Sequence, residues 1–267
     1  MSTPNDELEG KHGVQSLEVG MSILRAMATG RRSMMLKDIA LAAGMPASKA
    51  HRYLVSLIRS GLVEQDRLTS RYDLGPFALN LGLVALDRID RIRLGLTAIT
   101  DLRDETNETV SLTVWSDAGP VVVRWERPRR LITVNVVTGT HLSLLRSAGG
   151  RVFAAWLPER QTEALIRREL ETGKAPAGVS TFDDARALLA KVREAGLAVI
   201  TDDDYFAHGV EAAAAPVFNF KNEITMAIAI VGVEGSMDLS PDGPTLTALR
   251  RTGHELSRRL GATLEQG

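Results

Sequence analysis

Lys49, His51 and Arg52 stand within a four-residue stretch that directly follows Pro46-Ala47-Ser48. Arg and Lys side chains donate to guanine O6 and N7, and a serine hydroxyl bonds either a base edge or a phosphate. At the start of a helix the backbone N–H groups are free, so Ser48 is placed to hold a phosphate beside them. Lys37 upstream and Arg67 and Arg71 downstream suit contacts to a phosphate backbone. From Arg31 to Tyr72 there are eight basic and three acidic residues, a net of +5, whereas the whole chain carries -1 and the remainder therefore -6. Positive charge gathered in one segment of a near-neutral chain points to one module that meets a polyanion.

These side chains need a rigid element to present them. Apolar residues at Val14, Leu17, Met21, Leu24 and Met27 predict an amphipathic helix ended by Gly30. A second helix is expected from Leu36 to Ala43. Gly44 supplies the turn, and Pro46 is expected in the first turn of a third helix that runs to about Ser60. Ala50, Leu54, Leu57 and Ile58 would face inward, which leaves Ala47, Ser48, Lys49, His51 and Arg52 at the exposed N-terminal end. Leu62–Gln65 and Ser70–Leu74 flank Asp66-Arg67-Leu68-Thr69 and read as a small hairpin. Helix, helix, turn, helix, hairpin is the order of a winged helix-turn-helix, whose third helix enters the major groove. Lys37 would then hold phosphate, and Arg67 and Arg71 would reach backbone or minor groove.

The rest of the chain reads differently. A helix from about Pro76 to Ile92 serves as a linker, and a second helical run covers Leu94 to Thr106. Thr109–Val114 alternates polar and apolar residues, as do Val121–Glu126 and Ile132–Val136, which predicts an antiparallel meander with one buried face. Helices are expected at Gly150–Leu157, Glu159–Glu171 and Asp183–Ala195. Strands follow at Leu197–Thr201, Val210–Phe218 and Ile224–Val233, then a last helix from Pro241 to about Leu260. The fold class is α+β, with residues 1–12 a flexible tail, 13–75 the winged helix-turn-helix, 76–92 the linker helix and 93–267 a second, antiparallel-sheet domain.

Composition removes several function classes. The chain has 267 residues, 44% hydrophobic and 24% charged, and no cysteine, so thiol catalysis, disulfides and Cys-based metal sites are excluded. No apolar run approaches the roughly 18 residues of a membrane span, and the N-terminus has no signal-like pattern, so a cytoplasmic protein is expected. No nucleophile elbow, phosphate loop or dinucleotide fingerprint is present, and an enzyme is not expected. His141 and His208 are isolated. Asp202-Asp203-Asp204 reads as a solvated loop or a metal site, the loop being favoured because three consecutive carboxylates cannot converge on one point. No metal and no cofactor is expected.

Gly13–Leu17, Leu36–Ala40, Gly44–Leu54 and Arg71–Pro76 together resemble the IclR family of bacterial transcriptional regulators. The resemblance continues in Gly149–Ala155, Ala195–Ala198 and Ala214–Phe218, and so spans nearly the whole chain in order. It implies a winged-helix DNA-binding domain, a linker helix and a GAF-like effector-binding domain. It also implies a ligand-responsive regulator, here read as a repressor, that binds palindromic or repeated operator DNA as a homodimer or dimer of dimers. By the same resemblance a small molecule sits between the sheet and the loop Arg146-Ser147-Ala148-Gly149-Gly150, whose glycines would let backbone approach it. Many relatives carry cysteine at the position of Ala212, serines at those of Ala229 and Val231, and a polar residue near Asp202. Alanine and valine leave few groups to satisfy a hydrophilic acid, so an apolar or aromatic acid is the expected effector, with Arg146 able to neutralise one acidic group.

Overall fold

The computed structural model describes residues 13–30, 33–88, 90–129, 137–201 and 209–263. The N-terminal tail, Arg31 and Arg32, the expected strand at 132–136, the Asp202–Asp204 cluster and His208 lie outside the described residues. The chain divides into two compact units, one up to residue 89 and one from residue 90.

In the first unit, α1 (Gln15–Thr29), α2 (Leu36–Ala42) and α3 (Ala47–Arg59) enclose a core of Ile23, Met27, Ile39, Ala40, Ala50, Leu54, Val63 and Tyr72. The turn between α2 and α3 rests on Gly44, at φ +63°, a backbone conformation that costs glycine nothing. Two expectations shift. Pro46 precedes α3 rather than joining it: its ψ of 143° is extended, and its carbonyl accepts the N–H groups of Lys49 and Ala50 at 3.0 Å. In α1 the buried face is Gly20, Ile23, Ala26 and Met27, while Val14, Leu17 and Met21 point outward, with Val14 66% and Leu17 65% exposed. The small residues Gly20 and Ala26 turn the inward face away from the stripe that hydrophobicity alone selects.

The hairpin pairs β1 (Val63–Gln65) with β2 (Tyr72–Leu74) antiparallel, Glu64 opposite Asp73. Met34 adds a bridge on the far side of β2, exchanging both backbone hydrogen bonds with Tyr72 at 2.9 and 3.0 Å. Helix α4 (Pro76–Arg88) follows, anchored by the Phe77 N–H on the Gly61 carbonyl at 3.0 Å. It stops before the expected Ile92. The next helix, α5 (Arg91–Thr106), starts three residues ahead of Leu94 because the Asp90 carboxylate accepts the Arg93 N–H at 3.0 Å and caps it.

The second unit holds β3 (Thr109–Ser116), β4 (Gly119–Glu126), α6 (Ala148–Trp156), α7 (Glu159–Glu171), α8 (Phe182–Ala195), β5 (Ala198–Ile200), β6 (Val210–Phe218), β7 (Ile224–Val233) and α9 (Pro244–Arg259). The five strands form one antiparallel sheet in the order β4-β3-β7-β6-β5. Gly95 of α5 packs on Leu112 and Met226, and Gly253 of α9 on Ala215, whereas Gly149 of α6 packs on Thr113. Register puts Thr113 on the opposite face from Leu112 and Ala215, so helices cover both faces. The expected sheet with one wet face is corrected. Thr109, Ser111 and Thr113 alternate with apolar residues, yet all three are buried. Threonine and serine are small enough to be packed over, so alternation in polarity did not mean alternation in exposure.

Candidate functional site

In the first unit the exposed end of α3 carries Ala47, Ser48, His51 and Arg52, with Lys49 partly turned in. Ala47 and His51, and Ser48 and Arg52, are each four residues apart and form two adjacent ridges. Ala50 and Leu54 fix the opposite face in the core, so the ridges cannot rotate inward. Pro46 offers no side-chain oxygen to the helix start, which leaves the amides of Ala47 and Ser48 without an intrahelical acceptor. Lys37 is exposed in the first turn of α2.

The hairpin tip is built by Asp66. Its Oδ1 accepts the N–H groups of Leu68 and Thr69 at 2.7 and 2.9 Å, and Ser70 takes φ +55° to close the turn. Arg67 and Leu68 thereby stand out at the tip, and Leu68 is 96% exposed. Arg71 is exposed but tethered: its Nη1 donates to the Ser33 carbonyl at 3.0 Å. The backbone N–H of Thr69, then that of Leu68, holds the Asp66 carboxyl below its ordinary value. A lowered carboxyl pKa stabilises the turn above the unfolded value, and that stabilisation is lost as pH falls through the folded pKa. Acid titration followed on the Leu68 and Thr69 amide resonances is therefore expected to show a midpoint below 3.8. A midpoint at or above that value would mean that these hydrogen bonds do not hold the charge.

In the second unit, Ser147 caps α6. Its Oγ accepts the Gly150 N–H at 2.9 Å and donates to the Ser143 carbonyl at 2.6 Å. A side chain on Gly150 would overlap the Ser143 carbonyl oxygen, and one on Gly149 would meet Leu142 Cδ1 at 3.3 Å and Thr113 Oγ1 at 3.5 Å. What approaches these glycines most closely is thus the protein itself. The loop before α6 is braced by Glu169 of α7, whose carboxylate accepts Ser143 Oγ–H at 2.7 Å and the N–H groups of Leu144 and Leu145 at 2.7 and 3.0 Å. Nothing in the local sequence marks Glu169, because it acts across 24 to 26 residues.

Ala212 lies opposite Val231 and Ala214 opposite Ala229, and all four belong to the core that α6 covers. Ala212, Ala229 and Val231 are therefore brought together on adjacent strands under α6, with Ser147 and Gly149 at that helix's start. Arg146 is partly buried and borders a cleft on the outer side of the loop. Asp202 lies outside the described residues. The same sheet face holds two polar atoms that sequence reasoning passed over. Thr113 Oγ1 and Trp125 Nε1 are buried and meet no hydrogen-bond partner among the described residues, each at a cost of about 1–3 kcal/mol. Among the described residues no cluster of His, Cys, Asp or Glu could hold a metal ion, and no helix is long and apolar enough to cross a membrane.

Residues 16–67 match the IclR helix-turn-helix domain, and residues 84–258 match the bacterial transcriptional regulator IclR C-terminal domain. The chain belongs to the IclR family. It is 32% identical over 259 residues to the glycerol operon regulatory protein of Streptomyces griseus, covering 93% of this chain and 97% of that one. It is 28% identical over 221 residues to the transcriptional repressor IclR of Escherichia coli strain K12, covering 82% and 80%. The crystal structure of Pseudomonas aeruginosa HmgR superposes with a TM-score of 0.80 at 39% identity, covering 93% of this chain and 98% of that one. This IclR-family regulator therefore pairs a helix-turn-helix domain with a C-terminal effector domain, in an α+β fold.

Proposed function

We propose that this protein is a ligand-responsive repressor that binds operator DNA as a homodimer or dimer of dimers in the cytoplasm, without catalytic activity. The observation that carries the reading is the exposed ridge of α3. Ser48, Lys49, His51 and Arg52 read or grip the duplex from the helix start, with Ala47 close to the bases, and Lys37, Arg67 and Arg71 hold the phosphates. Two apolar surfaces of the first unit support self-association. Val14, Leu17 and Met21 line the outer face of α1, and Phe77, Leu79, Leu81, Leu83 and Val84 are exposed on α4. A helix apolar nearly all round is a helix meant to be covered, and a second copy supplies the matching surface.

The effector is a small acid with an apolar or aromatic body, held between α6 and the strands by Ser147, Gly149, Gly150, Ala212, Ala229 and Val231, with Arg146 and Asp202 completing the proposed contacts. Ala212, Ala229 and Val231 support an apolar body, and the Thr113 hydroxyl, which has no hydrogen-bond partner among the described residues, supports one polar handle. Ligand biases the second unit between two arrangements, and the linker helix passes that bias to the paired winged helices.

Selection from random duplexes, followed by mobility-shift titration of the enriched site, tests the reading. Binding is expected to weaken with salt at a slope of about -0.9 per neutralised phosphate. Arg52→Ala is expected to cost about 1–3 kcal/mol at the selected site and to relax preference at one base pair. No enriched duplex, or a flat salt response, removes DNA as the partner. Unchanged affinity in the variant removes Arg52 from the contacts.

A further inference from the structure

We infer that the cleft between the loop Thr140–Ser143 and α7 is a second small-molecule site, separate from the one under α6, and that it takes an organic anion with an apolar body. The cleft has a volume of about 620 Å³, and Leu142 and Leu165 form its apolar lining. This volume lies in the usual range for small-molecule pockets. His141, Arg146, Arg168 and Lys174 border it, and Glu169 is the acidic residue among its lining groups. That carboxylate is already committed: it accepts one hydroxyl and two amides of the Ser143–Leu145 turn. Among the described residues neither Arg168 nor Lys174 has a carboxylate within 4.0 Å. Among the described residues the cleft thus offers a greasy floor, two cations with no ion-pair partner and no acid in its lining other than the committed Glu169. A carboxylate on an aryl or branched alkyl body satisfies both features at once, where a sugar or a cation satisfies neither.

The site is also placed to speak to the one under α6. Leu142 lines the cleft, and the same side chain lies 3.3 Å from where a Cβ on Gly149 would stand. An occupant of the cleft therefore presses on the first turn of α6 through a single layer of side chains. Binding in the cleft needs no operator and stands or falls apart from the DNA reading.

Benzoate is the probe, with its neutral analogue benzamide as control, titrated into the full chain labelled on its leucine and alanine methyl groups. The Leu165 methyl signals report the cleft, and the Ala229 methyl signal reports the sheet beneath α6. Saturable benzoate shifts at Leu165 are expected, with benzamide binding about 10-fold more weakly there. Arg168→Glu/Lys174→Glu is expected to weaken the Leu165 response to benzoate by about 10-fold or more, and the Ala229 response much less. Leu165 signals that stay still at millimolar benzoate overturn the inference, as do equal affinities for benzoate and benzamide. A variant that keeps wild-type affinity at Leu165 overturns it too. The benzamide comparison uses wild-type protein and so does not depend on how the variant folds.

Discussion

On the proposed dimer, replacing Leu79 and Leu83 together by glutamate is expected to give monomers and to lower operator affinity by on the order of 10²- to 10⁴-fold. Both side chains stand out from α4, 64% and 55% exposed, and are four residues apart on one face. Within its own unit each touches little, so the substitution leaves the three-helix core intact. Between two copies the effect differs: burying four carboxylates against one another costs far more than the leucines they replace contribute. A dimer that grips two half-sites gains from the second contact an effective concentration that a monomer lacks, which sets the size of the loss. Sedimentation velocity and a mobility-shift titration on the same preparation read the two effects, with circular dichroism confirming the fold. A wild-type protein that sediments as a monomer would overturn the proposed dimer, and a variant that sediments as an oligomer would take this face of α4 out of it.

The second large effect is structural. Gly150→Ala is expected to destabilise the effector domain by about 3 kcal/mol or more, a fall of roughly 6–12 °C in its melting temperature. Alanine usually stabilises a helix relative to glycine by about 1 kcal/mol, and here that gain is overwhelmed. The added methyl group would overlap the Ser143 carbonyl oxygen and stand 2.7 Å from Ser147 Oγ. That carbonyl cannot move aside cheaply. The turn is held by three hydrogen bonds to Glu169, and the preceding Leu142 N–H donates to the Pro120 carbonyl at 2.8 Å. Gly149→Ala is the control: its methyl group would meet Leu142 Cδ1 at 3.3 Å, the end of a side chain that can turn. It should change stability by about 1 kcal/mol or less. Equal effects of the two substitutions in thermal denaturation would refute the account of why Gly150 carries no side chain.

Much of the DNA-binding unit was legible in the amino-acid order, because the information it uses is local. Glycine at a tight turn, proline ahead of a helix and an apolar stripe at helical spacing each act within a few residues. Three helices and a hairpin follow from them, with Lys37, Ser48, His51 and Arg52 left on the surface. The inward face of α1 was not legible, since Gly20 and Ala26 are buried for their small size and Val14 and Leu17 are left outside. Hydrophobicity ranks residues by transfer from water, whereas the core also selects by volume.

In the effector domain the strands and helices could be read from the chain, but not the partners they meet. Alternation located β3 and was silent on α6 lying over its polar face, because serine and threonine tolerate both water and burial. Glu169 bracing a turn 24 to 26 residues away, and Thr113 Oγ1 beneath Gly149 with no partner among the described residues, have no local signature. The chain by itself determined which segments form helices and strands and which side chains have the chemistry to meet DNA. Tertiary packing alone decided which glycine could never gain a methyl group, which carboxylate is already spent and which cations remain to face a cleft. Backbone preferences act over a few neighbouring residues, while excluded volume and long-range hydrogen bonds act between segments that only the folded chain brings together.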